Sequence, residues 1–330
     1  MNNRGQAIDE AVSRGDVAAL MAIVDSYCLD GRFEDIVVLR HRCRAALVRG
    51  LQLWPIAAYA DYRLALDASG PLALTGLGEL SERFMLGPIA EVLASTHTFA
   101  ELAEFLPPTP AASAFAVECV VRGADLENDG RALQLPVLFD LPLRLEAWEP
   151  EYSVAEYRPD RIRCDPPAVT TSWTRTTSVA AERIADPVVT DALRDVVAPW
   201  LSSSDGRADI ACVEGKAESA VAALGLRTAD FAEVSGATAM AHLAWAAGSG
   251  GARGRRRGAA TGRERAWWAV RALSGLEEDP VDADEVGLAV EELRWLLWSD
   301  GSPETGWNLR LAIEDASDGL AWAIAAIDAS

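Results

Sequence analysis

Residues 126–167 read LENDGRALQLPVLFDLPLRLEAWEPEYSVAEYRPDRIRCDPP, and they divide the chain into two kinds of sequence. Six prolines fall within them: Pro136, Pro142, Pro150, Pro159, Pro166 and Pro167. Proline removes a backbone donor and clashes with the preceding helical turn, so no long helix fits between these positions. The spacing leaves room for short strands, at 133–135 and 143–147, on edges where a missing N–H is tolerated. The leucines, Phe139 and Trp148 make the tract too apolar to be a flexible tether. It is expected to be an extended connector.

Upstream, residues 1–125 are expected to be helical throughout. Val17, Leu20, Met21, Val24 and Cys28 follow i, i+3, i+4 spacing and line one helical face. Asp16 is placed to cap the free N–H groups of that helix, and Gly31 suits a left-handed stop. Further helices are expected at 33–48, at 54–66 opening on Trp54-Pro55, and at 72–86, 89–95, 98–106 and 110–122. Short helices joined by tight glycine turns suggest antiparallel hairpins, stacked in the manner of a solenoid. No repeat of fixed period accompanies them.

Downstream, elements of both kinds alternate. Strands are expected at 169–179, 210–213, 231–234 and 309–313, where β-branched and aromatic residues gather. Helices are expected from Asp186-Pro187 toward Trp200, and at 217–224, 238–247, 261–273, 282–298 and 317–327. The fold class is therefore α+β. An all-helical domain over 1–125 is followed by the Pro-rich connector over 126–167 and a mixed α/β domain with a small sheet over 168–330.

The formal net charge is −20, and Lys216 is the only lysine beside 29 arginines. Arginine codons are GC-rich, so the bias points to a high-GC bacterial genome. Acidic residues occur in every region, which fits solubility by self-repulsion and disfavours general nucleic-acid binding. Cys28, Cys43, Cys119, Cys164 and Cys212 are scattered and never form a CxxC pair, so reduced and mostly buried thiols are expected. No apolar run reaches the ~18 residues of a membrane span, and no apolar leader opens the chain. The expected location is the cytoplasm, with no membrane partner.

The most unusual segment is Gly248–Arg271, GSGGARGRRRGAATGRERAWWAVR, with seven arginines and one glutamate between residues 251 and 271. Arg253, Arg255, Arg256, Arg257 and Arg263 are candidate anion-binding residues, because guanidinium groups grip phosphate and carboxylate in bidentate fashion. Trp267 and Trp268 are their aromatic neighbours, suited to stacking on a ligand or, more commonly, to core packing. Neither GxxxxGK[ST] nor GxGxxG is matched. Gly250, Gly254, Gly258 and Gly262 recur every four residues, which on a helix makes a stripe for close packing. The competing reading is structural, with the arginines paired to acidic neighbours and the glycines packed on another element.

Other candidates are weaker. The acidic run Glu277–Asp284 fails the EF-hand spacing and fits a helix start, with Asp282 and Glu285 at capping-box positions. His41, His97 and His242 lack metal-ligand spacing. Glu214, Glu314 and Asp315 fall at strand ends without a nucleophile or histidine beside them. No metal or cofactor is expected.

The residues Gly250-Gly251-Ala252, Gly254-Arg255-Arg256-Arg257-Gly258, Gly262-Arg263 and Ala266-Trp267-Trp268 resemble an uncharacterised domain-of-unknown-function family of high-GC actinobacteria. So do Glu292-Leu293-Arg294-Trp295, Thr305-Gly306-Trp307 and Asp318–Ala323. The resemblance covers the last quarter closely and the N-terminal helices loosely, and it implies no activity. The expected function is that of a non-catalytic binding or scaffold protein with a protein partner. The alternatives are an enzyme or sensor for a phosphorylated, anionic small molecule bound through 248–271, and an acidic inhibitor or immunity-type protein.

Overall fold

The computed structural model describes residues 3–78, 85–277, 280–303 and 305–329. Two compact units emerge, one formed by Met1–Leu138 with Ala155–Arg163, the other by Phe139–Val154 with Cys164–Ser330. The Pro-rich tract is thus shared between the units, where the sequence suggested a separate connector.

The first unit is helical: α1 (Asn3–Arg14), α2 (Val17–Leu29), α3 (Phe33–Ala45), α4 (Trp54–Asp67), α5 (Ile89–Thr96), α6 (Phe99–Leu102) and α7 (Pro110–Val121). Asp16 caps α2 by accepting from the Ala19 N–H at 3.0 Å, and Gly31 follows with φ +67°. The expected helix over 72–86 is a 3-10 turn at Gly70–Gly76, and 79–84 lie outside the described residues. Leu20, Val24, Ile36, Leu39, Ile56 and Leu64 are completely buried in one core.

That core encloses an ionic centre. Asp61 is fully buried and accepts from Arg40 and, at 3.0 Å, from Arg44. Arg40 also donates to the Thr75 carbonyl at 3.2 Å. Gly76 lies so close that a Cβ there would stand 2.6 Å from the Asp61 Cβ. The hairpin β1 (Glu156–Arg158) and β2 (Arg161–Arg163) belongs to this unit. Its Tyr157 hydroxyl donates to the buried Glu91 at 2.6 Å, and Tyr62 donates to the Arg158 carbonyl at 2.5 Å.

The second unit contains β3 (Thr174–Thr177), β4 (Arg183–Ile184), α8 (Pro187–Val196), α9 (Ala198–Ser203), β5 (Arg207–Glu214), α10 (Ala217–Ala223) and β6 (Thr228–Val234). It continues with α11 (Gly236–Gly248), α12 (Ala259–Leu273), α13 (Ala283–Glu292), β7 (Arg294–Ser299), β8 (Trp307–Asp315) and β9 (Leu320–Asp328). Seven strands form one sheet in the order β3-β6-β7-β8-β9-β5-β4. Every pairing in it is antiparallel. The α+β class holds. The sheet is larger than expected because two expected helices contribute strands.

Residues 317–327 were expected to be helical, and 320–328 instead form β9 between β5 and β8. The alanines there favour a helix locally, but flanking strands on both sides supply the ladder, and tertiary pairing overrides propensity. The expected helix 282–298 ends at Glu292, and the buried run from Arg294 becomes β7. Leu296 and Trp298 join the core beneath α10, while α11 packs against β7 and β8. The expected strands at 133–135 and 143–147 are absent: Ala132–Gln134 is a 3-10 turn, and 143–147 is irregular. The expected strand 169–179 shortens to Thr174–Thr177.

Two stability predictions follow from these environments. Asp61→Ala leaves two guanidinium groups in the core of the first unit without their carboxylate. It is expected to lower the urea unfolding free energy by about 3–5 kcal/mol. In the second unit, the His242 imidazole on α11 has a buried Nε2 without a hydrogen-bond partner, and burial lowers its pKa from 6.5 to about 4. The unfolded chain then binds more protons than the folded one between those values. Stability contributed by the neutral ring is full above pH 6.5 and is lost as pH falls toward 4, by roughly 3 kcal/mol. Unfolding curves across that window should be flatter for His242→Gln than for the parent chain.

Candidate functional site

After Gly248, which ends α11, the Gly/Arg-rich segment is not helical again until Ala259. Residues 249–258 are a loop folded back on itself, so the four glycines do not line one helical face. A Cβ at Gly254 would overlap the Gly250 carbonyl. Gly262, the one stripe member inside α12, lies against the Ala244 carbonyl of α11, so the two helices approach through a position without a side chain. Asp328, 1% exposed, fastens the loop by accepting from the Ala252 N–H at 2.6 Å and from Ser204 at 2.7 Å.

The five candidate arginines do not act as one set. Arg253 pairs with Asp205 at 3.2 Å in solvent. Arg255 and Arg256 each have an interaction partner. Arg257 is half-buried, and burial followed by the neighbouring charge of Arg265 lowers its pKa. Arg265 itself pairs with Asp195 at 3.3 Å. Arg263 has a different fate: its side chain is wholly buried against an equally buried Glu149. Its Nε and Nη2 donate to the two carboxylate oxygens at 2.8 and 2.7 Å. Its remaining donors reach the Pro142 and Arg144 carbonyls at 2.9 and 2.8 Å.

Arg263 is therefore committed to a buried ion pair within the protein. Irregular backbone at 142–144 feeds its carbonyls to this guanidinium, which is why no strand forms there. Tyr152 and Trp267 complete the Glu149 shell with donations of 2.6 and 2.9 Å. Burial alone would raise the Glu149 pKa, but the bonds and charge of Arg263 outweigh it and hold the carboxyl below its ordinary value. Trp267 is likewise a core residue, 1% exposed. Trp268 is partly buried, with the Arg271 guanidinium 5.9 Å from its ring centroid.

Several of the other sequence candidates have structural partners, while His97, like His242, has a buried Nε2 without one. Glu314 accepts from the Ala217 N–H at the start of α10, at 3.2 Å. Asp315 shapes the β8–β9 turn through Ser317 and Asp318. Asp282 caps α13 through Asp284 and Glu285, while Glu278 and Asp279 lie outside the described residues. The five cysteines are free thiols, and burial pushes Cys28 and Cys119 up to about 12. Among the described residues, no helix is long and apolar enough to cross a membrane.

A site that sequence reading missed lies in the same unit. A groove of ≈ 690 Å³ is lined by Ala147-Trp148, by Glu233–Ala237 and by Val290–Trp295. None of the five candidate arginines lines it. Trp148 adjoins Glu149 in the chain, and its Nε1 donates to the Ala283 carbonyl at 3.0 Å. Its ring packs on Trp267 at 4.8 Å. Trp295 donates to the Val290 carbonyl at 2.9 Å, so both indoles are fixed.

Among the described residues, Arg294 is the only cation in the lining. It is divided among three carboxylates: Glu233 at 3.0 Å, Glu218 at 3.1 Å and Glu314 at 2.9 Å. Burial opposes its charge, but these partners outweigh burial and raise its pKa. The Arg294–Glu314 pair is written into the sheet register, where the two residues face one another across β7 and β8. Glu291 and Glu292, both exposed, complete the rim. In the sequence Glu314 stands at the end of an expected strand, but Glu291 and Glu292 fall inside the expected helix 282–298, a pattern shared with ordinary solvated faces.

A family model for a family of unknown function, DUF6183, matches residues 3–329. The chain belongs to that family. The match spans both units, whereas the resemblance carried by the quoted motifs lay mainly in the last quarter. Comparison with curated proteins and with solved structures finds no match.

In this DUF6183 member, Glu149→Ala should strand a buried guanidinium and lower the unfolding free energy by about 3–5 kcal/mol. Arg263→Lys should also destabilise, because an ammonium cannot reproduce the planar fork. A loss below about 1 kcal/mol for Glu149→Ala in urea unfolding would be too small for an uncompensated buried charge.

Proposed function

We propose that this chain is a non-catalytic, cytoplasmic binding protein of actinobacteria, and that a protein partner docks in the groove of its second unit. The groove itself carries the reading. It offers the partly exposed indole of Trp148 over a floor that includes the buried Trp295, backbone from both walls, and a rim of carboxylates in excess over cations. Five carboxylates (Glu218, Glu233, Glu291, Glu292 and Glu314) stand in or beside it, against Arg294 and the nearby Lys216.

Mixed apolar and charged lining of this kind suits recognition by burial with electrostatic steering. Free thiols and the arginine bias support the cellular setting. An inhibitor or immunity role is the special case in which docking silences a basic partner. The phosphate-sensor reading of 248–271 draws less support, because Arg263 and Trp267 are already committed to Glu149.

The test is comparative capture from extract of a related actinobacterium. Wild-type protein is expected to retain a partner at low salt. The triple variant Glu233→Gln, Glu291→Gln, Glu292→Gln should lose it by about tenfold or more, the equivalent of about 1.4 kcal/mol. A partner retained equally by both proteins would place binding elsewhere.

A further inference from the structure

We infer that the groove is built to receive an arginine side chain carried on an extended, basic segment of the partner; this deepens the docking reading above and rests on it. The first ground is the electrostatics of α13. Carboxylates at a helix C-terminus oppose the negative end of the macrodipole, and cations belong there. Yet the last turn of α13 carries no basic residue and ends on Glu291 and Glu292. Both side chains are exposed at the groove rim. This placement disfavours the isolated protein, and an incoming cation relieves it.

The second ground excludes the opposite charge. The donors of Arg294 are already directed to Glu218, Glu233 and Glu314. An anionic ligand would meet a rim of carboxylates and a guanidinium whose donors are already engaged.

The third ground selects the type of cation. Trp148 is half-buried in the groove wall, locked by Ala283, by Gly287 beneath its ring and by Trp267 beside it. A planar guanidinium stacks on an indole while its edge donors reach carboxylates in pairs. An ammonium is more strongly hydrated and lacks the flat face. The paired carboxylates and the indole fit arginine better than lysine.

Calorimetry with blocked peptides tests this directly. The probes are Gly-Arg-Gly-Arg-Gly, the same peptide with lysine, and the same peptide with citrulline, a neutral analogue of arginine. The arginine peptide is expected to bind most tightly, the lysine peptide more weakly, and the citrulline peptide not measurably. Affinity should fall as salt rises from about 50 to about 300 mM, because the charges are screened.

Glu291→Gln with Glu292→Gln should weaken the arginine peptide by about tenfold or more. The same variant should melt at the same temperature or higher, an outcome that a merely stabilising role for these residues would not give. Equal binding of arginine and citrulline peptides, no binding of either, or unchanged binding by the double variant overturns the inference. So does a wild-type dimer abolished by the double variant, since the groove is then occupied by a second copy. If the peptides fail while captured partner is still lost by the triple variant, the docking reading stands and the arginine assignment falls.

Discussion

The buried Glu149–Arg263 pair is the constraint on which the second unit turns. Neither charge has access to water, so each depends on the other and on a complete set of hydrogen bonds. Meeting that demand fixes the 139–154 tract to α12, because two of the arginine's acceptors are carbonyls of that tract. Once Glu149 is fixed, Trp148 is fixed beside it as a wall of the groove. Once α12 is fixed, Gly262 lets it lie directly on α11, whose first residues form the opposite wall.

Charge is handled differently in different parts of the molecule. In the first unit, Asp61 is enclosed by two arginines and a glycine contact. At Glu149 the balance of charge is complete. At the groove it is not: Arg294 is shared by three glutamates, and α13 adds two more at its unfavourable end. Uncompensated charge is thus retained where a partner can reach it. Local disagreement of this kind is expected at functional sites and costs some stability there.

The fold was legible in the sequence wherever a signal was local. Asp16 and Gly31 marked the ends of α2, Asp186-Pro187 opened α8, and Asp282 opened α13, because caps and turns act over three or four residues. β9 was misread for the same reason, since its alanines speak for a helix until two neighbouring strands are present. The run from Val286 to Leu297 fits helical spacing across a boundary at Leu293 that only the pairing of Arg294 with Glu314 reveals. The Arg-rich segment was visible, but visibility misplaced its role. Arg263 drew notice as a possible ligand residue, and its partner lies 114 residues away.

By itself, the sequence determined a helical first part and a mixed second part, free and mostly buried cysteines, and an acidic chain with one basic segment. These follow from composition, periodicity and capping, which act between near neighbours. Only the tertiary structure decided that the Pro-rich tract is shared between two units, that the tail is a central strand, and that Arg263 is a core residue. It alone decided that Trp148, Glu233 and Glu292 share one groove. The physical reason is range. Strand pairing and buried ion pairs are contacts between residues far apart in the chain, and their free energy depends on burial and partners that no local pattern records.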